Sequence, residues 1–508
     1  MCPQAVIKHK APKDAPSCRA LLRRGLGLDL EPSRGRPLAL FVRVPAWLGN
    51  QGRHPENCVP PLDLGVAVSQ ARRAGLHAVL LDLETGAFSL DEVEACIRDD
   101  QPALLFVCGT TPAHGDLLSL AQRGRRAAPA MTIVAAGQHA DAVPESFLFP
   151  DSPVDLCLRG DFEETTLELC EALLRGSNPE VAGSLCFDAG EIRSYGERPL
   201  VQDLDALPPP SHDFFLTSRY RYLHPVRGIG PFRWGFIQTS RGCPFPCVYC
   251  SRTLRNSFGK TYRSRSAASV VAEMESLVAR GVNAIVILDD VFTHDRQRVL
   301  ELCHAIRAAG LRVPWKAEGR VTPADPELFA AMRAAGCSTL SMGVESGSQR
   351  ILDSLDKRTR VEDIERAFRL AKEAGLITVG FFMVGSPGER EEDFQATLRL
   401  LERVDPHLIQ VAFFTIYPGS RAYDTYAERR PADWSYYQHY ERALNLSDEA
   451  DEVVNAWQRR LYLHFLARPR FVLRYLAMRH INLLTNAGTE LFLVRQALKT
   501  LGRRVAKP

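Results

Sequence analysis

Apolar positions along the chain fall into two alternating patterns. From Pro37, short continuous apolar runs occur at Leu38–Val44, Ala78–Leu83, Ala103–Cys108, Thr132–Ala136 and Leu156–Leu158. Between them, apolar residues recur at helical spacing over Leu62–Ala74, Leu90–Arg98, Leu117–Arg123 and Glu163–Leu174. Continuous runs suit strands buried on both faces, and helical stretches between them suit crossovers. The pattern predicts a doubly wound α/β domain with a parallel sheet over residues 37–200. Residues 1–36, rich in Lys, Arg and Pro, read as an N-terminal arm with a short helix near Cys18–Leu28. Residues 201–230, which contain Leu207-Pro-Pro-Pro210, read as an extended linker.

A second alternation begins at Trp234. Strands are expected at Trp234–Gln238, Ala284–Leu288, Val313–Ala317, Thr339–Gly343, Ile377–Val384 and Ile409–Ile416. Helices fall between them, at 266–280, 295–309, 325–335, 348–355 with 361–374, and 390–403. Six βα units over 231–425 predict a partial barrel, short of the eight of a closed one, with chemistry at the carboxyl ends of the strands. Residues 426–508 lose the alternation and read as a helical C-terminal region.

Composition narrows the class. The chain of 508 residues is 45% hydrophobic and 24% charged, the balance of a globular protein with sizeable cores. A formal net charge of +3 argues against a nucleic-acid binder. The charge is uneven, with 14 Lys and Arg against 7 Asp and Glu from Arg429 onward. The first 40 residues show no secretory pattern, and no run of about 18 apolar residues occurs. The expected location is the cytoplasm. There, 13 cysteines are not a disulfide scaffold, and ten of them, scattered singly, read as small buried hydrophobes.

The other three are not scattered. Directly after the first barrel strand comes Ser240-Arg-Gly-Cys-Pro-Phe-Pro-Cys-Val-Tyr-Cys-Ser251, which places Cys243, Cys247 and Cys250 in the spacing Cys-x3-Cys-x2-Cys. Soft thiolates select iron–sulfur clusters or zinc. Structural zinc takes four ligands, usually as two close pairs, and no fourth Cys or His with ligand spacing lies nearby. Three thiolates on a cubane leave one iron open to chelate a small molecule. Pro244 and Pro246 disfavour helix and suit a loop wrapped around such a group.

This triplet at the head of a six-unit barrel resembles the radical S-adenosylmethionine superfamily. The resemblance implies a [4Fe-4S] cluster whose open iron binds the amino and carboxylate groups of S-adenosylmethionine. It implies one-electron cleavage of the sulfonium to a 5′-deoxyadenosyl radical, and an electron donor such as flavodoxin or ferredoxin. Further segments match at strand ends. Tyr249 takes the aromatic position near the adenine. Asp289-Asp290 stands where the superfamily often has Gly-Gly-Glu gripping the methionine amino group, and also reads as a cap for the next helix. Gly343-Val-Glu-Ser-Gly347 resembles the Gly-x-Glu-Ser-Gly segment, which gives Glu345 a cofactor contact. Arg320 offers a guanidinium to a carboxylate, the cofactor's or that of Glu345. Gly380 and Gly385, in Gly380-Phe-Phe-Met-Val-Gly-Ser-Pro-Gly-Glu389, resemble the segment lying along the adenine. Tyr417-Pro-Gly-Ser-Arg421 resembles a turn of the same subgroup.

A doubly wound domain upstream of this barrel resembles the cobalamin-binding domain of class B members. The resemblance implies that the cobalamin nucleotide tail lies near Gly109, Thr110 and Thr111 and near Gly137, Gln138 and His139 through Ala140. The sequence carries Gly-Gln-His where the family more often has Gly-Gly-Pro-His, and Gly160-Asp where it has Gly-Glu. An Asp-x-His-x-x-Gly signature is absent, so an axial histidine for cobalt is not expected. Trp47 or Asn50 is placed by the same reading at the lower corrin face, with Trp47 as core residue the alternative. The implied activity is cobalamin-dependent C-methylation of an unactivated carbon in a small molecule or peptide. A cyclase or rearrangement enzyme using the same cofactors is the alternative. The tail from Arg468, basic with helical apolar spacing over Phe471–Met478 and Leu491–Leu501, reads as a lid on the barrel or a peripheral membrane contact.

Overall fold

The computed structural model describes residues 17–29, 33, 35–45, 58–222, 226–227, 231–250, 261–438 and 444–471. Two sheets organise it, matching the fold class expected from the patterning. The first has seven strands: β1 (Leu38–Val44), β2 (His77–Asp82), β3 (Leu104–Gly109), β4 (Thr132–Ala136), β5 (Leu156–Leu158), β6 (Ser184–Asp188) and β7 (Glu191–Ser194). Their spatial order is β2-β1-β3-β4-β5-β6-β7. The first five pair in parallel, and β6 and β7 add an antiparallel hairpin. The alternation did not reveal that hairpin, because β7 is exposed along its length and carries no buried face. Its turn residues Ala189 and Gly190 both take positive φ, +51° and +89°, as a tight hairpin turn requires.

β1 lies between β2 and β3, so the chain leaves it first to one side and then to the other. At such a switch point the loops diverge and open a crevice at the carboxyl ends of the strands. The strands are buried on both faces, with Phe41 stacked on Phe106 at 5.0 Å between centroids.

The second sheet has six parallel strands: β8 (Trp234–Ile237), β11 (Ala284–Ile287), β12 (Trp315–Gly319), β13 (Cys337–Glu345), β14 (Ile377–Val384) and β15 (Leu408–Phe413). A two-stranded pair, β9 (Ser240–Arg241) and β10 (Arg263–Ser264), stands off the end of β8. The six strands follow chain order across the sheet, each returned by helices such as Val361–Glu373, whose stripe of Ile364, Ala367, Phe368 and Ala371 is buried. On β12, Lys316 and Glu318 face Tyr222 of the linker. Tyr222 donates to Glu318 Oε1 at 2.8 Å, and Lys316 Nζ lies 2.9 Å from the same oxygen.

One expectation changes. Cys18 and Cys96, read as separate core residues, are joined as a disulfide with Cα atoms 5.4 Å apart. They lie 78 positions apart, a separation no local pattern reveals, and meet because helix Cys18–Leu26 packs on helix Leu90–Asp100. The Asp100 carboxylate accepts from Cys18 N at 2.6 Å. Among the described residues of the C-terminal region, short 3-10 turns at Ala427–Arg429 and Trp434–Tyr436 precede the helix Asp451–Leu466. That helix covers the barrel, stacking Trp457 on Phe394 and donating from Trp457 Nε1 to Glu391 at 2.7 Å. The helical stretches expected from 472 onward lie outside the described residues. Among the described residues no helix is long and apolar enough to cross a membrane.

Candidate active site

The loop with the three cysteines leaves the carboxyl end of β8. Its neck is the β9–β10 pair, in which Arg241 opposes Arg263. Asp289, just past β11, fixes this neck. Its carboxylate accepts from Thr239 N at 2.6 Å, Thr239 Oγ1 at 2.5 Å, Ser240 N at 3.0 Å and Ser240 Oγ at 2.7 Å. Four donors commit both oxygens of a buried side chain to the protein. Asp289 therefore positions the loop, where the sequence suggested a contact to a cofactor ammonium. Asp290 differs: it accepts from Gly242 N at 2.9 Å, is half-buried, and burial pushes its carboxyl up to about 7.

Cys243 and Cys250 are partly exposed and Cys247 is buried. Burial raises the Cys243 thiol, and burial together with Cys247 and Cys243 pushes Cys250 up to about 12. These directions describe thiols without a metal; a bound cation reverses them. The donor set is three sulfurs on one loop, with cations beside it. Arg320 Nη1 lies 3.6 Å from Cys247 Sγ, and its guanidinium covers the Phe245 ring at 3.8 Å. Three soft donors on one loop suit a polynuclear cluster that leaves one metal open.

Glu345 ends β13 at φ +66°, where the register with β14 shifts between Gly343 and Glu345. A bulge of this kind re-aims a side chain, and a non-glycine residue in the left-handed region stores strain typical of functional positions. Its partner is Lys357 rather than Arg320: Lys357 Nζ donates to Glu345 Oε1 at 2.6 Å and to Tyr249 OH at 3.0 Å. Tyr249 OH also donates to Glu345 Oε1 at 3.0 Å. Arg320 instead donates to Lys357 O and, at 3.0 Å, to Thr359 Oγ1. Sequence reading missed Lys357. It follows the Gly-x-Glu-Ser-Gly segment after one short helix, in a stretch where Asp356 and Arg358 take positive φ.

The two glycines of the fifth segment serve packing. A Cβ on Gly380 would stand 2.8 Å from the Phe382 ring and 3.5 Å from Phe368 of the neighbouring helix. That places Gly380 toward the helix layer, where the sequence suggested close approach of a ligand. Gly385 turns the chain at φ +81°, donates to Glu389 Oε2 at 2.8 Å, and abuts Val454 of the C-terminal helix. The buried Glu389 carboxyl also accepts from Ser386 N at 3.0 Å, and burial pushes it up to about 8.

At the first sheet the predicted residues gather at the carboxyl edge. Gly109 ends β3, where a Cβ would meet Val44 O at 2.8 Å. Gly137 takes φ +88°, and a Cβ there would meet Cys108 Sγ at 2.7 Å. Thr110 is exposed, Thr111 buried and Gln138 half-buried. His139 is fully buried. Its Nε2 meets Ser146 Oγ at 3.2 Å, and its ring packs edge-on against His114 and Trp434, with centroids 4.8 and 4.7 Å away. Burial holds this imidazole down at about 3, so it is neutral. Trp47 and Asn50 lie outside the described residues. Beside the edge, Asp82 accepts from Arg43 Nε at 2.8 Å and from Tyr220 OH at 2.7 Å, which anchors the linker.

Residues 237–401 match the Radical SAM superfamily. An uncharacterized methyltransferase of Pyrococcus horikoshii, PH0819, is 30% identical over 427 residues, covering 83% of this chain and 91% of that protein. An anaerobic magnesium-protoporphyrin IX monomethyl ester cyclase of Cereibacter sphaeroides is 27% identical over 416 residues, covering 79% of this chain and 66% of that protein. Among solved structures, the cobalamin-dependent S-adenosylmethionine radical enzyme OxsB, with aqua-cobalamin and S-adenosylmethionine bound, superposes with a TM-score of 0.68 at 16% identity. The match covers 90% of this chain and 71% of OxsB. The chain belongs to the radical S-adenosylmethionine superfamily and is an enzyme of methyltransferase type.

Proposed function

We propose that this enzyme transfers a methyl group to an unactivated carbon of a small-molecule or peptide substrate. The carrying observation is the three-thiol loop off β8, with its Tyr249 hydrogen-bonded to the part-buried Glu345–Lys357 pair. Cys243, Cys247 and Cys250 would hold a [4Fe-4S] cluster. Arg320 and Lys357 place positive charge next to an anionic cluster and a cofactor carboxylate. Glu345 and Asp290 offer carboxylate acceptors to a cofactor ammonium. Gly109 and Gly137 end two strands at the first sheet's carboxyl edge, and a nucleotide tail of cobalamin would lie along that edge. Bound together, these groups supply an electron, a sulfonium to cleave and a methyl group to donate; the chain's own residues bind, orient and exclude water. A protein reductant such as flavodoxin or ferredoxin would deliver the electron.

The test is anaerobic purification with cobalamin supplied, followed by a visible spectrum and counts of iron, sulfide and cobalt. Incubation with reductant and candidate substrates comes next. Four irons, one cobalt, 5′-deoxyadenosine formation and a substrate mass gain of one CH2 unit support the proposal. Zinc in place of iron sinks it. The cyclase relative favours a second reading, in which the same cofactors act without methyl transfer. Product formation without a mass gain of CH2 would select that reading.

A further inference from the structure

The segment Arg159-Gly-Asp-Phe-Glu163 belongs to the first sheet's domain, yet its acidic side chains are spent on the barrel. Glu163 Oε1 accepts from Arg241 Nη2 at 2.6 Å. Asp161 Oδ1 accepts from Arg241 Nη1 at 3.4 Å, and Asp161 Oδ2 from Arg263 Nη1 at 2.5 Å and from Val201 N at 2.9 Å. All four charged residues are 5% exposed or less. Arg241 and Arg263 oppose each other across β9 and β10, the two sides of the neck through which the cysteine loop leaves and returns. Arg241 stands two residues before Cys243.

Two guanidiniums on adjacent strands repel unless carboxylates lie between them, and here both carboxylates come from the other domain. A surface contact holding two domains together could sit anywhere along their boundary. This one is buried and grips the neck of the catalytic loop from one side, while Asp289 grips Thr239 and Ser240 from the other. The cysteine loop is thereby referenced to two frames at once, the barrel and the first sheet.

We infer that Asp161 and Glu163 are positioning residues that set the cluster loop, through Arg241 and Arg263, at a fixed place relative to the ligand-binding edge of the first sheet. This rests on the cofactor assignment proposed above. The clamp acts on the coupling between two cofactor sites rather than on occupancy of either.

The experiment uses the full chain, anaerobically reconstituted with iron, sulfide and cob(II)alamin, as wild type, Glu163→Gln, Asp161→Asn and Glu163→Asp. Pulsed electron paramagnetic resonance on the reduced cluster and cob(II)alamin reads the distance distribution between the two spins. Hydrogen–deuterium exchange reads the peptide covering 238–250. For the Gln and Asn variants the expected result is a distance distribution at least about twice as broad as in wild type, with faster exchange over 238–250. Iron and cobalt content, and the spectrum of each centre alone, stay unchanged. Glu163→Asp, which keeps the charge, lies between the two. Unchanged distances and exchange overturn the inference. Loss of the cluster and of the fold in all three variants also overturns it, because the clamp is then a stability element only. Wild-type protein that takes up no cobalamin fails the cofactor proposal instead, and the exchange arm still judges the clamp.

Discussion

Both sheets present a carboxyl edge built by the same α/β logic, but the two edges differ in chemistry. The barrel edge is charged and sulfurous: three thiols, the buried cations Arg320 and Lys357, and Glu345 aimed by a bulge. The first sheet's edge carries Gly109, Gly137 and an uncharged His139 among His114, Phe147 and Trp434, with its charges confined to the Arg43–Asp82–Glu84 cluster. A charged edge suits an anionic cluster and a zwitterionic ligand. An edge with few charges suits a large ligand recognised through shape. The difference shows that fold sets where ligands go, and side chains set which ones.

The barrel edge is broken most completely at its sulfurs. Cys247→Ala should lower cluster iron and S-adenosylmethionine cleavage by about 10²-fold or more, because three is the fewest ligands that hold a cubane. Iron analysis and 5′-deoxyadenosine release measure it. Cobalamin uptake by the first sheet should be unchanged, so equal loss at both edges would show that the two sites are not independent. Lys357→Met comes next. It leaves Glu345 and Tyr249 without their shared cation and should weaken S-adenosylmethionine binding by about tenfold or more, the size of a lost charge-assisted hydrogen bond. Anaerobic titration followed by the cluster's resonance signal reads this, with iron content held constant. An unaltered affinity would confine Lys357 to structure.

The first sheet's edge is tested by acid. His139 in the fold takes a proton only near pH 3, below its ordinary value of 6.5. Unfolded chain binds that proton first, so stability is full above pH 6.5 and falls as pH drops toward 3. The loss between pH 7 and 4 should be on the order of 3 kcal/mol. His139→Gln should flatten that part of the pH profile in denaturant titrations. A profile as steep as the wild type's would place the acid-sensitive group elsewhere.

Legibility in the sequence followed the same divide. Strands buried on both faces read as continuous apolar runs, so β1 to β5 and the six barrel strands were found within a few residues. The exposed β7 had no apolar signal, and the Cys18–Cys96 pair depends on helix packing that spacing does not encode. At the site, contiguous motifs were visible: the three cysteines, Tyr249 and Glu345. Partners supplied from a distance were not. Lys357 replaced Arg320 beside Glu345. Asp161, read with Gly160 as part of a ligand-domain segment, holds arginines of the barrel together with Glu163. A motif tells which residues matter more reliably than it tells what each one touches.

Gly385 carries the smallest effect and tests that last point. Its sequence context places it along an adenine, but its surroundings are Val454 and the Glu389 carboxylate. Gly385→Ala forces a Cβ into the left-handed region at φ +81°, at a cost of about 1 kcal/mol. The new methyl would stand 3.3 Å from Val454 Cγ1, so helix Asp451–Leu466 must shift by a few tenths of an ångström. Neither effect reaches the thiols, because the Gly385 N–H that anchors the turn is retained. Urea unfolding should therefore lose about 1 kcal/mol, while S-adenosylmethionine affinity at constant cluster content stays within about twofold of wild type. If affinity falls tenfold with stability unchanged, the glycine faces the ligand after all. The barrel edge would then meet its ligand partly through backbone, and the contrast between the two edges would be narrower than the side chains around Glu345 suggest.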